Sequence, residues 1–252
     1  MTRKKKRKYL QDGIYKTKFL KVIGPKLDEA DRRELEASKL PTHRKEIISD
    51  TFWTDDEKRI LNMWRQFYAI YEHLTDINST IKYIKLNGLK TFLKKNDLTE
   101  NEYLRFIYEN HQIRVYSTLD IITIIGDLIY PTGLKPRNLN WKTFSESPKI
   151  SSRKCAKILI EFQLKLDYIR EERNKLIHYG GYKTKSIESI EAVTFDKKFL
   201  KSNFLITRFK SRRLNEVKNL EREMKSNYRI CLYYTKQFLD STTKEISLLK
   251  VG

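Results

Sequence analysis

"LIEFQLKLDYIREERNKLIH", residues 159 to 178, decides how this chain is read. Leu159, Phe162, Leu166, Ile169, Arg173 and Leu176 recur at gaps of three, four, three, four and three, which is one face of an α-helix. Five of the six are apolar and belong in a core; the sixth is an arginine. An Arg at a seam position is costly unless its guanidinium reaches a carboxylate, a phosphate or water at a cleft. Asn174 and His178 stand four apart, so they share one face beside the seam. Gly180 supplies the left-handed residue that ends the helix and leaves His178 in an open last turn. The plainer alternative is a charged helix end whose Arg and His meet backbone carbonyls and the dipole.

Working outward, "TFWTDDEKRILNMWRQFYAIYEHL" (51–74) opens with a capping box, Thr54 with Glu57, and places acidic residues on the N-terminal dipole. Ile60, Trp64, Phe67, Tyr71 and Leu74 then mark a helical face. A shorter helix is expected around "STIKYIKLNGLKTFLKK" (79–95). Thr99 and Glu102 form a second capping box, and Pro131 and Gly133 close that helix some thirty residues later. Its end, "LDIITIIGDLIY" (119–130), is apolar nearly all round and belongs deep in the core. A loop, "PTGLKPRNLNWKTFSESPK" (131–149), leads to the motif helix, expected from about Ser151 to His178. A fourth helix is expected from about Ser211 to Asp240, with Leu214, Val217, Leu220, Met224, Cys231 and Phe238 on or near one face. "EAVTF" (191–195) and "NFLITRF" (203–209) hold enough β-formers for a short hairpin. Residues 1–50 read as a basic, partly irregular N-terminal arm in which "DEADRRELEASK" offers a short exposed helix. Residues 51–252 read as one α-helical domain, four long helices making a bundle.

Composition agrees with a helical core. Only 13 of 252 residues are Gly or Pro, and 30 aromatics argue against disorder. Fifty-two Lys and Arg against 32 Asp and Glu leave a net charge of +20, a field that attracts polyanions, nucleic acid first. An acidic membrane surface or an acidic protein is the other class of partner that charge allows. Cys155 and Cys231 sit in apolar helical patterns without a CxxC neighbour, as small core hydrophobes of a reducing compartment. No apolar run approaches 18 residues, and "MTRKKKRK" lacks the apolar stretch of a secretory signal, so a cytoplasmic location and no membrane association are expected. No Walker loop, GxGxxG, HExxH or GxSxG occurs, which leaves nucleotide hydrolases, dehydrogenases, zincins and α/β-hydrolases without support.

The Arg–Asn–His trio suits phosphodiester cleavage. Arg offers a bidentate fork to a phosphate and to charge growing in the transition state. His has the one side chain whose unperturbed pKa lets it serve as acid and base near neutrality. Asn can hold an imidazole tautomer or a phosphate oxygen. On RNA the 2′-hydroxyl is an internal nucleophile, so neither metal nor cofactor is required.

"RNKLIH" (173–178) resembles the Arg-Asn-x-x-x-His motif of HEPN domains, four-helix modules of many prokaryotic toxin and phage-defence proteins. The likeness extends more loosely over residues 53 to 240, and "ENHQIRVYSTLD" (109–120) is similar to the earlier core helix that packs on the motif helix. The resemblance implies a HEPN-like four-helix core and a metal-independent endoribonuclease acting as a homodimer, two motif helices facing across a cleft. Arg173 would grip the scissile phosphate, His178 would act as general acid and base, and Asn174 would orient one of them. Glu109, His111, Arg114 and Asp120 are supporting candidates: His111 either as a second catalytic group or as a hydrogen-bonded core residue, Asp120 as a buried partner of Arg173 or Arg114, with a solvent-facing carboxylate as the alternative. Lys4, Lys5, Lys6, Arg7, Arg212 and Arg213, from the two basic clusters, are candidate RNA contacts or else solvated charge. A toxin or defence role brings in an antitoxin or inhibitor protein as a further partner. The competing expectation is a non-catalytic HEPN-like module that binds RNA, nucleotide or a partner protein and uses Arg173 only for contact.

Overall fold

The computed structural model describes residues 14, 17–38, 53–85, 88–179, 187–188, 190–191 and 203–250, with side chains except at 37–38, 172–179, 203–206 and 208–209. Among the described residues the chain is all-α, without a strand. The helices are α1 (Lys18–Ser38), α2 (Asp55–Tyr83), α3 (Leu89–Lys95), α4 (Glu100–Ile129), α5 (Trp141–Glu146), α6 (Lys154–Tyr179), α7 (Asn203–Ser241) and α8 (Thr243–Leu248), with a 3₁₀ turn at Pro136–Asn138. No helix among the described residues is long and apolar enough to cross a membrane.

Local chemistry explains where the long helices start and stop. Thr54 and Glu57 form the reciprocal box that opens α2: the Thr54 amide donates to Glu57 Oε2 at 2.8 Å and the Glu57 amide to Thr54 Oγ1 at 3.3 Å. Thr99 and Glu102 do the same for α4, at 2.8 and 3.2 Å. The Arg59 guanidinium donates to the carbonyls of Leu128 and Ile129 at 3.2 and 3.0 Å, satisfying acceptors that the end of α4 leaves open. The buried face of α2 is Ile60, Met63, Phe67, Ile70, Leu74 and Ile77, an alternation of three and four. It is rotated from the expected face, so Trp64 is 36% exposed and Tyr71 half-buried. On α7, Leu220, Met224, Cys231 and Phe238 are buried as expected, but Leu214 is 55% exposed. Cys155 and Cys231 are free and buried, as the core reading expects.

Three segments differ from the sequence reading. The arm is not irregular throughout: α1 runs from Lys18 to Ser38 through Gly24 and Pro25. Proline lacks a helical N–H and costs about 3 kcal/mol in a helix interior. Phe19, Ile23 and Leu27 are buried, each contributing about 1.5–3 kcal/mol, and together they outweigh that cost. Arg33 pairs with the fully buried Glu57 of α2, fixing α1 further. Second, the expected hairpin is overturned at "NFLITRF", which forms the first turns of α7; no Gly or Pro separates it from the rest of that helix. Strand propensity there yields to helical continuity; residues 192–195 of the other half lie outside the described residues. Third, the loop before α6 holds α5, capped by Asn140 and Thr143, which inserts the fully buried Phe144 into the core.

Two compact units divide the chain. The first takes the described residues of Met1–Glu72, Thr118–Gln163 and Leu232–Gly252; the second takes His73–Ser117 and Leu164–Cys231. In the first unit Phe19 stacks on Phe67 with centroids 5.4 Å apart, and Phe162 on Tyr234 at 5.1 Å. Gly126 is the tightest point: a Cβ there would lie 2.7 Å from the Phe144 ring and 3.0 Å from that of Phe238. Gly126→Ala, normally helix-stabilising, should therefore destabilise the protein by about 1–3 kcal/mol through overpacking. Urea unfolding followed by circular dichroism measures this, and a stabilised variant would show the contact to be slack.

Candidate functional site

The motif helix begins three residues later than the sequence reading expects and ends one residue later. α6 continues to Tyr179, so Arg173, Asn174 and His178 all have helical backbone, in its last two turns. The seam preceding them is as expected: Leu159, Phe162, Leu166 and Ile169 are each fully buried. Arg173 occupies the next seam position, and Asn174 and His178 lie one turn apart on the adjoining face. The side chains of 172–179, and Gly180 with Gly181, lie outside the described residues.

Register within the second unit fixes what shares the motif's level. α6 enters that unit at Leu164 and α7 leaves it at Cys231, and the Tyr168 hydroxyl hydrogen-bonds Asn227 Oδ1 four residues in from each. The two helices are therefore antiparallel. Counting five on from Tyr168 and five back from Asn227 sets Arg173 level with Arg222; ten sets His178 level with Val217. Glu221 forms an ion pair with Lys85, just past the end of α2. Arg213 of α7 reaches Glu100 at 2.8 Å, at the start of α4. The end of the motif helix thus lies at the same end of the unit as the last turn of α2, α3 and the first turn of α4.

A layer of buried and half-buried polar contacts holds these helices in register. The Tyr108 hydroxyl of α4 donates to Glu223 Oε1 of α7 at 2.5 Å, and Gln112 Nε2 donates to the Tyr108 oxygen at 2.6 Å. Cys231 Sγ approaches the Val115 carbonyl at 3.7 Å one level further on, so α4 and α7 run parallel. Between α2 and α4, His73 Nε2 meets the Arg114 carbonyl at 2.6 Å and Thr80 Oγ1 meets His111 Nδ1 at 2.8 Å. His73, which the sequence offers no role, is thereby a helix-to-helix tie.

The supporting candidates fall out differently. His111 is fully buried in that layer. Burial drives its pKa down to about 3, against the carbonyls of Ile77 and Met224, which favour the charged form. Glu109 is half-buried, and burial raises its carboxyl above the usual range in spite of Arg105, 3.9 Å away. Arg114 bonds Asp76 Oδ2 and Asn110 Oδ1, both at 2.7 Å. Asp120 is not the expected buried partner: it is exposed on the outward face of α4 with Ile124, one step round from the buried Leu119. Arg212 is exposed, while Arg213 is committed to Glu100 and Asn101. Lys4, Lys5, Lys6 and Arg7 lie outside the described residues.

Tyr168, Asn227 and Glu223, which set the register of the site, were not singled out by the sequence. Asn227 carries the one legible signal, a polar residue at a buried position between Met224 and Cys231. Comparison with known protein families, characterised proteins and solved structures finds no match for this chain.

The depressed pKa of His111 has a stability consequence. The folded chain holds it neutral from about pH 3 upward, whereas the unfolded chain takes up a proton below about pH 6.5. Its contribution to stability is therefore present above 6.5 and is lost as the pH falls toward 3. Between pH 7 and 5 the wild type should lose about 2 kcal/mol more than His111→Gln does. Equal pH slopes in urea titrations of the two proteins would contradict this.

Proposed function

We propose that this protein is a metal-independent endoribonuclease of HEPN type, acting as a cytoplasmic toxin or phage-defence effector. The observation that carries the reading is the run Arg173-Asn174-x-x-x-His178 at the end of a helix whose preceding seam is buried. A net charge of +20 suits the chain as a whole to a polyanionic partner. On this reading His178 takes the proton of the 2′-hydroxyl as its oxygen bonds to phosphorus. The P–O5′ bond breaks, the departing 5′-oxygen receives a proton from the imidazolium, and the products are a 2′,3′-cyclic phosphate and a 5′-hydroxyl. Arg173 neutralises the charge that grows on the phosphoryl oxygens, and Asn174 orients one of the two partners.

The finer fold proposal is a HEPN-like four-helix core formed by α2, α4, α6 and α7, joined into a homodimer through α6. Ile160, Leu164 and Tyr168, one turn apart along α6 and 43, 64 and 45% exposed, support the dimer, since apolar residues in a row on one helix favour a partner surface. An antitoxin or inhibitor protein belongs to the same reading.

Total cellular RNA incubated with the protein in EDTA should be cut to fragments with cyclic-phosphate ends. Arg173→Ala and His178→Ala should each lower the rate by about 100-fold or more. Full activity in His178→Ala would remove this active site. RNA binding without cleavage by any form would favour the non-catalytic module. Leu164→Glu should turn a dimer into a monomer in sedimentation and lower cleavage with it; a wild-type monomer that cleaves would contradict the dimer.

A further inference from the structure

We infer that the corner made by the last turn of α2 and by α3 is a binding surface for single-stranded RNA, with Lys82, Lys90, Lys94 and Lys95 meeting phosphates and Tyr83 and Phe92 stacking on bases. It takes its substrate class from the proposed function, but uses none of the motif residues.

Residues 81–95 contain five Lys and no Asp or Glu. Lys82, Lys90, Lys94 and Lys95 are exposed, and among the described residues no carboxylate pairs with them. The fifth, Lys85, neutralises Glu221 together with Lys225. Neighbouring acids are likewise engaged: Glu100 by Arg213 and Glu102 by its capping box. Asp97, in the turn after α3, sets one negative charge beside four positive ones.

Among these cations stand two aromatic side chains in the open, Tyr83 at 46% and Phe92 at 41% exposure. One buried residue brings them together. The Tyr103 hydroxyl donates to the Tyr83 carbonyl at 3.1 Å, and its ring meets Phe92 edge-on with centroids 5.9 Å apart. α3 itself is fixed by the buried Leu93, whose carbonyl accepts from the amide of Leu98 at 3.0 Å. The result is a held platform of rings interleaved with ammonium groups. Rings accept any base face and ammonium groups accept the backbone, which is how single strands are gripped without sequence readout. A duplex hides its base faces and would engage only the cations. An anionic membrane also attracts lysines, but α3 has seven residues, too few to lay an amphipathic face into a lipid interface. The antiparallel register places this corner at the motif's end of the unit, where a held strand would present its phosphates to Arg173 and His178.

The test is fluorescence anisotropy of a labelled mixed-sequence single-stranded RNA with the full chain carrying His178→Ala, in EDTA, so that the probe stays intact. Tyr83→Ala with Phe92→Ala should weaken binding about tenfold or more. Lys90→Ala, Lys94→Ala and Lys95→Ala together should weaken it and flatten the slope of log affinity against log salt by about 2. A charge-matched control, Lys142→Ala, Lys157→Ala and Lys165→Ala, should change far less; circular dichroism checks that every variant folds. The duplex of the same sequence should bind more weakly than the single strand and be indifferent to the ring changes. Unchanged binding in the corner variants, or an equal loss in the control, overturns the surface and leaves the RNase reading intact. Loss of binding in the corner variants from a protein that never cleaves RNA upholds the surface and sinks the RNase. Binding of phosphatidylserine vesicles without binding of RNA overturns the inference in favour of a membrane.

Discussion

The hydrogen bond between Tyr168 and Asn227 is the constraint on which the geometry of the site depends. Helix α6 carries the motif, but an amphipathic helix with a seam of Leu and Phe can slide or rotate against its neighbours at little cost. A slide by one turn would leave the amide oxygen of the fully buried Asn227 unmatched, at about 1–3 kcal/mol. The pairing thereby fixes which level of α7 faces Arg173, and through Glu221 and Lys85 which end of α2 lies at that level.

The layer of Tyr108, Gln112, Glu223, His111 and Thr80 extends the same logic to α2, α4 and α7. Apolar residues of similar volume would fill these positions with no penalty for desolvating polar groups. What polar pairing adds is uniqueness of alignment, because each bond is satisfied in one register only. On the proposed reading the trio needs that more than it needs extra stability, since in an active site a misplacement of about 1 Å costs on the order of 100-fold in rate.

How much of this was legible in the sequence follows from what each signal measures. Period and capping boxes report backbone hydrogen bonding and burial within one helix, so α2, α4, α6 and the later part of α7 could be read directly. They say nothing of rotation against neighbours, which is why Trp64 and Leu214 were placed on a buried face that tertiary packing turned outward. Pro25 and Gly24 masked α1, because local propensity does not see the core that Phe19 and Ile23 enter. Apolar surroundings favour an inward Asp120, yet Asp120 and Ile124 both face out, while the polar His111, Gln112, Thr118 and Thr123 occupy buried positions of α4. The motif was legible because its spacing is local, whereas Asn227 and Tyr168 meet across 59 residues of chain and carry no mark of their pairing.

Charge then gives the site its direction. Most of the ion pairs in the second unit consume their lysines and arginines locally, as Arg114 does with Asp76 and Arg213 with Glu100. Lys82, Lys90, Lys94 and Lys95 enter no such pair among the described residues, and they share an end of the unit with the motif. On the proposed reading, one RNA strand is held at that corner and cut at Arg173 and His178. Ultraviolet crosslinking of a single-stranded RNA to the His178→Ala protein, with the linked peptides identified by mass spectrometry, tests it most directly. Crosslinks are expected in the peptides spanning 81–95 and in those spanning 171–179 on the same RNA. Crosslinks confined to other parts of the chain would contradict it.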